Sequence, residues 1–109
     1  MNLDTWAEEI HANAVEKGFW EPNNEDTHII FYLKQIAMIH SEASETLEAI
    51  RKGKGDDKVV EELADILIRV LDLYSGLVED GYTKESLHDV MVRKTEINRQ
   101  RDRLHGVLA

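Results

Sequence analysis

Two pairs of carboxylates repeat one spacing in this chain: Glu42 and Glu45 in "HSEASETLEAI", then Glu62 and Asp65 in "EELADI". A step of three residues puts both acids of a pair on one side of an α-helix. A 16-residue spacer lies between Glu45 and Glu62, short enough to hold two helix ends and one turn. In a chain with 22 acids, a single Glu-x-x-Glu step is ordinary solvated surface. Two such pairs flanking one turn, each at the edge of an apolar face, are a different matter. Carboxylates crowded at such an edge repel one another, and a cation resolves the conflict. An all-oxygen donor set suits Mg²⁺, Mn²⁺ or Ca²⁺ rather than zinc or copper.

A cationic counterpart follows later in the chain. Lys94, Asn98 and Arg101 fall within roughly 60° of one another on a helical projection. They share that arc with Leu87, Val90, Met91 and Ile97. Long cations at a helix end commonly snorkel, but an asparagine does not, and a buried amide needs partners. Beside a metal–carboxylate site, a Lys/Asn/Arg stripe could hold the phosphates of an anionic ligand. The charge balance makes this pairing useful. At −9 the chain is unsuited to nucleic-acid polymers or anionic membranes, and a small anion needs local positive charge to approach it.

The elements that must position these groups are helices. Hydrophobic spacing places them at about 4–17, 27–52, 58–79 and 84–101, with Gly18 as a stop and a loop over 18–27. Residues 53–57 form a turn in which Asp56 or Asp57 caps the next helix, and Thr83 caps the last. The long second helix carries a main apolar stripe of Ile29, Leu33, Ile36, Ala43, Leu47 and Ile50. Opposite it runs a second stripe of Phe31, Met38, Glu42, Glu45 and Ala49. Short turns make neighbours antiparallel, so the expected fold is all-α, a four-helix up-and-down bundle over a single domain 1–109. Several helices need burial on two sides, more than one small chain provides. The bundle is therefore expected to be completed by homo-oligomerisation, as a homodimer or homotetramer.

Other chemistries fit less well. Without cysteine there is neither a disulfide framework nor a thiolate metal site. Apolar runs fall far short of the roughly 20 residues that span a bilayer. "MNLDTWAEEIH" carries acids where a signal peptide carries bases, so the cytoplasm is the expected location. Glu25-x-x-His28 and Glu85-x-x-His88 supply the step used by di-iron bundles. Glu25 and His28, however, lie roughly 21 Å along the helix from Glu42 and cannot share its site.

Taken in order, Glu42-x-x-Glu45, the spacer, Glu62-x-x-Asp65 and Lys94-x-x-x-Asn98-x-x-Arg101 resemble the MazG-type nucleoside triphosphate pyrophosphohydrolases. That all-α group also includes dimeric dUTPases and phosphoribosyl-ATP pyrophosphohydrolase. The resemblance covers about residues 28–101, and "EKGFW" at 16–20 is similar to the segment before the long helix in some small members. One departure is Ser41, where many members have an acid, which leaves no fifth carboxylate there.

The resemblance implies Mg²⁺-dependent hydrolysis of a nucleoside triphosphate between its α- and β-phosphates, giving a monophosphate and pyrophosphate, with nucleotide-pool house-cleaning as the role. Glu42, Glu45, Glu62 and Asp65 would hold Mg²⁺, with Mn²⁺ as a substitute. A metal there polarises phosphate oxygens and lowers the pKa of a bound water. Glu45 is the candidate catalytic base. Lys94, Asn98 and Arg101 would clamp phosphate or sugar, and Phe19 and Trp20 would stack on the base. Trp6 is expected in the core. Two rivals stand beside this reading: a non-catalytic acidic interaction module, in which Lys94, Asn98 and Arg101 face solvent, and the same fold acting on phosphoribosyl-ATP or dUTP.

Overall fold

The structure is a computed structural model, and it describes residues 2–20 and 28–101. The described residues form four helices: α1 (Leu3–Glu16), α2 (His28–Arg51), α3 (Asp56–Glu79) and α4 (Leu87–Arg99). No strand is found among the described residues, and the fold is all-α, as the spacing implied. None of these helices is long and apolar enough to cross a membrane. The loop expected over 18–27 lies largely outside the described residues, as does Glu25.

The helix ends follow local chemistry. Asn2 caps α1, its Oδ1 accepting from the Thr5 N–H at 2.8 Å. At the end of α2, Gly53 adopts φ 63°, and the N–H groups of Gly53 and Lys54 bond back to Ile50 and Ala49. This left-handed residue closes the last turn and sends the chain back into α3, so α2 and α3 become an antiparallel hairpin.

Two capping expectations are corrected. Gly55, not Asp56 or Asp57, is the N-cap of α3; the two acids sit in the first turn, where their charge favours the helix dipole. Ser86, not Thr83, caps α4, with Oγ accepting from the Asp89 N–H at 3.0 Å. The physical reason is a tertiary contact. Asp4 of α1 accepts from the N–H groups of Leu87 and His88 at 2.8 and 3.2 Å, fixing the start of α4 three residues later than expected. Thr83 instead accepts from the Glu85 N–H within the preceding turn.

Helix α3 is central: it packs against α2 on one side and α1 on the other, while α4 packs on α1. The α1–α3 contact buries Ala7, His11 and Ala14, small residues that allow close approach. Trp6, expected in the core, is 49% exposed because α1 turns that alanine face inward instead. Trp20 closes this side. Its ring lies directly on Gly76 of α3, where a Cβ would stand 2.2 Å from Cη2, so only glycine admits the indole. Its Nε1–H donates to Asp72 Oδ1 at 2.8 Å, and its ring meets those of His11 and Phe31 at centroid distances of 4.7 and 4.6 Å. Both ring nitrogens of His11 face carboxylates, Asp72 at 2.8 Å and Glu79 at 3.1 Å.

The two stripes of α2 divide sharply. The stripe with Phe31, Glu42 and Ala49 faces α3, and Ala49 is buried. The longer apolar stripe faces outward: Ile29, Leu33, Leu47 and Ile50 are all more than half exposed. On α3, Val60, Leu63 and Leu67 are exposed to a similar degree. The α2–α3 hairpin thus buries the stripe that carries acids and leaves the purely apolar one bare.

Candidate metal centre

The hairpin brings three of the four predicted carboxylates into one cluster. Single oxygens of Glu42, Glu62 and Asp65 lie within 4.8 Å of one another. Antiparallel pairing across the Gly53 turn sets the two pairs at the same height, with Glu62 buried, Glu42 half-buried, and Glu45 and Asp65 exposed at the edge. Among the described residues, α3 itself supplies two basic contacts to the cluster. Arg69 Nε reaches Glu42 Oε1 at 2.9 Å, and Lys58 Nζ reaches Glu62 Oε1 at 3.1 Å.

These contacts leave the cluster incompletely satisfied. The Glu62 side chain is only 9% exposed, and its Oε2 has no hydrogen-bond partner among the described residues. A buried carboxylate oxygen without a donor is costly, about 1–3 kcal/mol or more for a charged group. Glu45 stands beside the cluster. Its carboxyl is pushed above its ordinary value of 4.5 chiefly by the negative charge of Glu42, with desolvation and the nearby Glu62 adding to the effect. Convergent carboxylates, an orphaned oxygen and a carboxyl that resists ionisation fit a hard divalent cation. The Lys58 ammonium is pushed up by its hydrogen bond to Glu62 and by that group's charge.

Two cavities open on the cluster from opposite ends. The first, about 650 Å³, is lined by Glu42, Asp65 and Arg69 together with Phe19, Phe31, Met38 and Ile68. The second, about 390 Å³, lies toward the α2–α3 turn and is lined by Glu45, Glu62, Ser41, Ser44, Lys54 and Lys58. Phe19 is 66% exposed at the first cavity, while Trp20 is held by Gly76, Asp72 and Phe31 rather than standing open to a ligand. Spacing alone did not single out two cations of the first cavity, Arg69 and Lys34. A signal existed for both. Arg69 follows Asp65 by four residues, and Lys34 precedes Met38 and Glu42 by four and eight.

Lys94, Asn98 and Arg101 are placed differently. All three are exposed, on or just beyond a helix whose packing partner is α1, and none lines either cavity. One chain therefore assembles the acids but does not bring the Lys/Asn/Arg stripe to them.

Fold and site together define a class: an all-α protein whose central hairpin gathers a carboxylate cluster able to hold a metal ion. Residues 32–103 match the family model of the MazG nucleotide pyrophosphohydrolase domain. The match covers most of the chain, and the chain belongs to that family. No match was found among curated proteins or among solved structures. Membership makes the protein a hydrolase of the pyrophosphohydrolase type at the level of the family.

Proposed function

We propose that this protein hydrolyses (d)NTPs between the α- and β-phosphates, releasing a monophosphate and pyrophosphate, as a cytoplasmic house-cleaning enzyme. The observation that carries this reading is the Glu42–Glu62–Asp65 cluster with its orphaned, buried Glu62 oxygen. Glu42, Glu62 and Asp65 would hold Mg²⁺, with Glu45 completing the set. Bound there, Mg²⁺ supplies Lewis acidity toward phosphate oxygens and toward the attacking water.

The chain's own residues then divide the work. Glu45, whose carboxyl is raised above its ordinary value by the charge of Glu42, accepts the proton of the water. Phe19 and Phe31, which line the larger cavity, would stack on the base, and Arg69 and Lys34 of the same lining would answer negative charge. Lys94, Asn98 and Arg101 reach phosphate only from a second copy, so the active unit is a homodimer or larger. The bare apolar stripe of α2 and α3 supports that assembly, since so much exposed aliphatic surface marks an interface.

One observation favours a second reading. Solvent-facing Lys94, Asn98 and Arg101 are what a non-catalytic acidic module would show. A panel of nucleotides incubated with Mg²⁺ or with EDTA, with pyrophosphate assayed separately from orthophosphate, decides between them. Mg²⁺-dependent pyrophosphate release supports the enzyme. No pyrophosphate from any common, deoxy or phosphoribosyl nucleotide removes it and leaves the module.

A further inference from the structure

The two cavities on the carboxylate cluster differ in character, and the difference gives a substrate a direction. The larger one has aromatic and aliphatic walls. The smaller one has two lysines and two serine hydroxyls, and no aromatic residue among its lining. We propose that the smaller cavity, formed by Lys54 and Lys58 with Ser41 and Ser44, is a subsite for the pyrophosphate end of the nucleotide. This rests on the reading of the cluster as a nucleotide-hydrolysing site, and it assigns residues that the Lys94/Asn98/Arg101 stripe does not account for.

Three features carry it. First, Lys54 has no ion-pair partner among the described residues, although this chain has nine more acids than bases. Its neighbours show the ordinary alternative: Arg51 and Lys52 both lie on Glu48, at 3.0 and 3.8 Å. Lys54 stands in the turn after Gly53 and lines the cavity with its ammonium uncommitted. Second, Lys58 and Glu62 both line this cavity with Lys58 Nζ 3.1 Å from Glu62 Oε1, while Glu62 Oε2 is buried and has no hydrogen-bond partner among the described residues. That pairing engages only one of the two oxygens of the carboxylate. When a divalent cation takes Glu62, the Lys58 ammonium is released toward the cavity, where a phosphate oxygen can accept its hydrogen bonds.

Third, the electrostatics demand that cation. Glu45, Glu48 and Glu62 all line the cavity, so two lysines alone do not make it attractive to a polyanion. Pyrophosphate is therefore expected to bind only together with Mg²⁺. The nucleoside then lies on the opposite side of the cluster, toward Phe19 and Phe31, which places the α-phosphate over the carboxylates and the leaving group over the α2–α3 turn.

Calorimetry with inorganic pyrophosphate at fixed free Mg²⁺ tests this without turnover. Lys54→Ala and Lys58→Gln should each weaken binding roughly tenfold or more, the effect of losing a charge-assisted contact to phosphate. Lys54→Arg should retain affinity, and common deoxynucleoside monophosphates should bind the Lys54→Ala protein as they bind wild type. Phe19→Ala should reverse the pattern, weakening the monophosphates and sparing pyrophosphate. Unchanged pyrophosphate affinity in both lysine variants, or no pyrophosphate binding by wild type with Mg²⁺, overturns the subsite even if nucleotides are hydrolysed. Lysine-dependent pyrophosphate binding by a protein that hydrolyses none of the panel would keep the subsite and remove the enzyme reading.

Discussion

The α2–α3 hairpin and α4 carry the two halves of one chemical idea, and the fold treats them oppositely. Acids predicted from spacing on α2 and α3 converge to within 4.8 Å inside one chain. The Lys94–Asn98–Arg101 stripe on the α4 side, read from the same kind of spacing, faces solvent. Both patterns are correct statements about a helix face. What differs is the face opposite. Helix α2 finds α3 across a four-residue connection, whereas α4 meets α1 through the Asp4 contacts at its start and leaves its later turns bare. A helical stripe identifies what a face can do; only the neighbour decides whether one chain can do it.

The largest effect should come from within the hairpin. Glu45→Gln removes the carboxylate proposed as the base and should lower the rate of pyrophosphate release by about 10²–10⁴-fold. The loss is greater if cation binding also fails. A rate within a few fold of wild type would move the base elsewhere and leave Glu45 as a bystander to the cluster.

The comparison with α4 is sharpest in a mixing experiment. If α4 serves a partner's cluster, Lys94→Ala combined with Asn98→Ala should be nearly inactive alone, as should Glu45→Gln alone. Mixed and re-equilibrated, they should recover roughly a quarter of wild-type activity, because half of the dimers carry one intact site. No recovery, with assembly confirmed by light scattering, would mean that the stripe does not act across subunits. Leu33→Glu attacks the same point from the interface. Leu33 is already 63% exposed, so the chain should stay helical, yet light scattering should drop to the 12.5 kDa monomer and activity should fall with it. A wild-type protein already monomeric at micromolar concentration sinks the shared-site idea at once.

The sequence made the hairpin legible because its information is local. Gly53 marks the turn, the three-residue steps mark the acid faces, and one short connection fixes their register. Four helices could be read for the same reason, with boundaries off by up to three residues where a distant group intervened. Asp4 setting the start of α4 is a contact across more than eighty residues, and nothing near Thr83 announces it. Burial direction on α2 was legible only as two stripes, not as which one turned inward, because that depends on whether a second copy covers the longer one. Trp20 illustrates the remaining limit. An aromatic on a loop invites a stacking role, and only the close approach to Gly76 shows the indole already engaged.

The smallest effect is the most diagnostic of the cluster itself. If Mg²⁺ binds the folded arrangement of Glu42, Glu62 and Asp65, it should raise the melting temperature by several degrees, more at higher concentration. The pH dependence has a definite sign. The Glu45 carboxyl is raised in the folded chain by Glu42, so the fold binds that proton more tightly than the unfolded chain does. In EDTA this contribution to stability is fully present below the ordinary value of 4.5 and is lost as pH rises through the raised value. Cation binding runs the other way, since proton and cation compete for the same oxygens, and the Mg²⁺-induced shift should grow across that same window. Melting curves with EDTA and with Mg²⁺, taken at about pH 5 and about pH 7.5, measure both trends. Glu62→Gln should abolish the Mg²⁺ shift while helix content is retained, and Lys94→Ala should leave it intact, since that residue stands on α4, away from the carboxylates. A Mg²⁺ shift equal at both pH values, or unchanged in Glu62→Gln, would place the cation somewhere other than the hairpin.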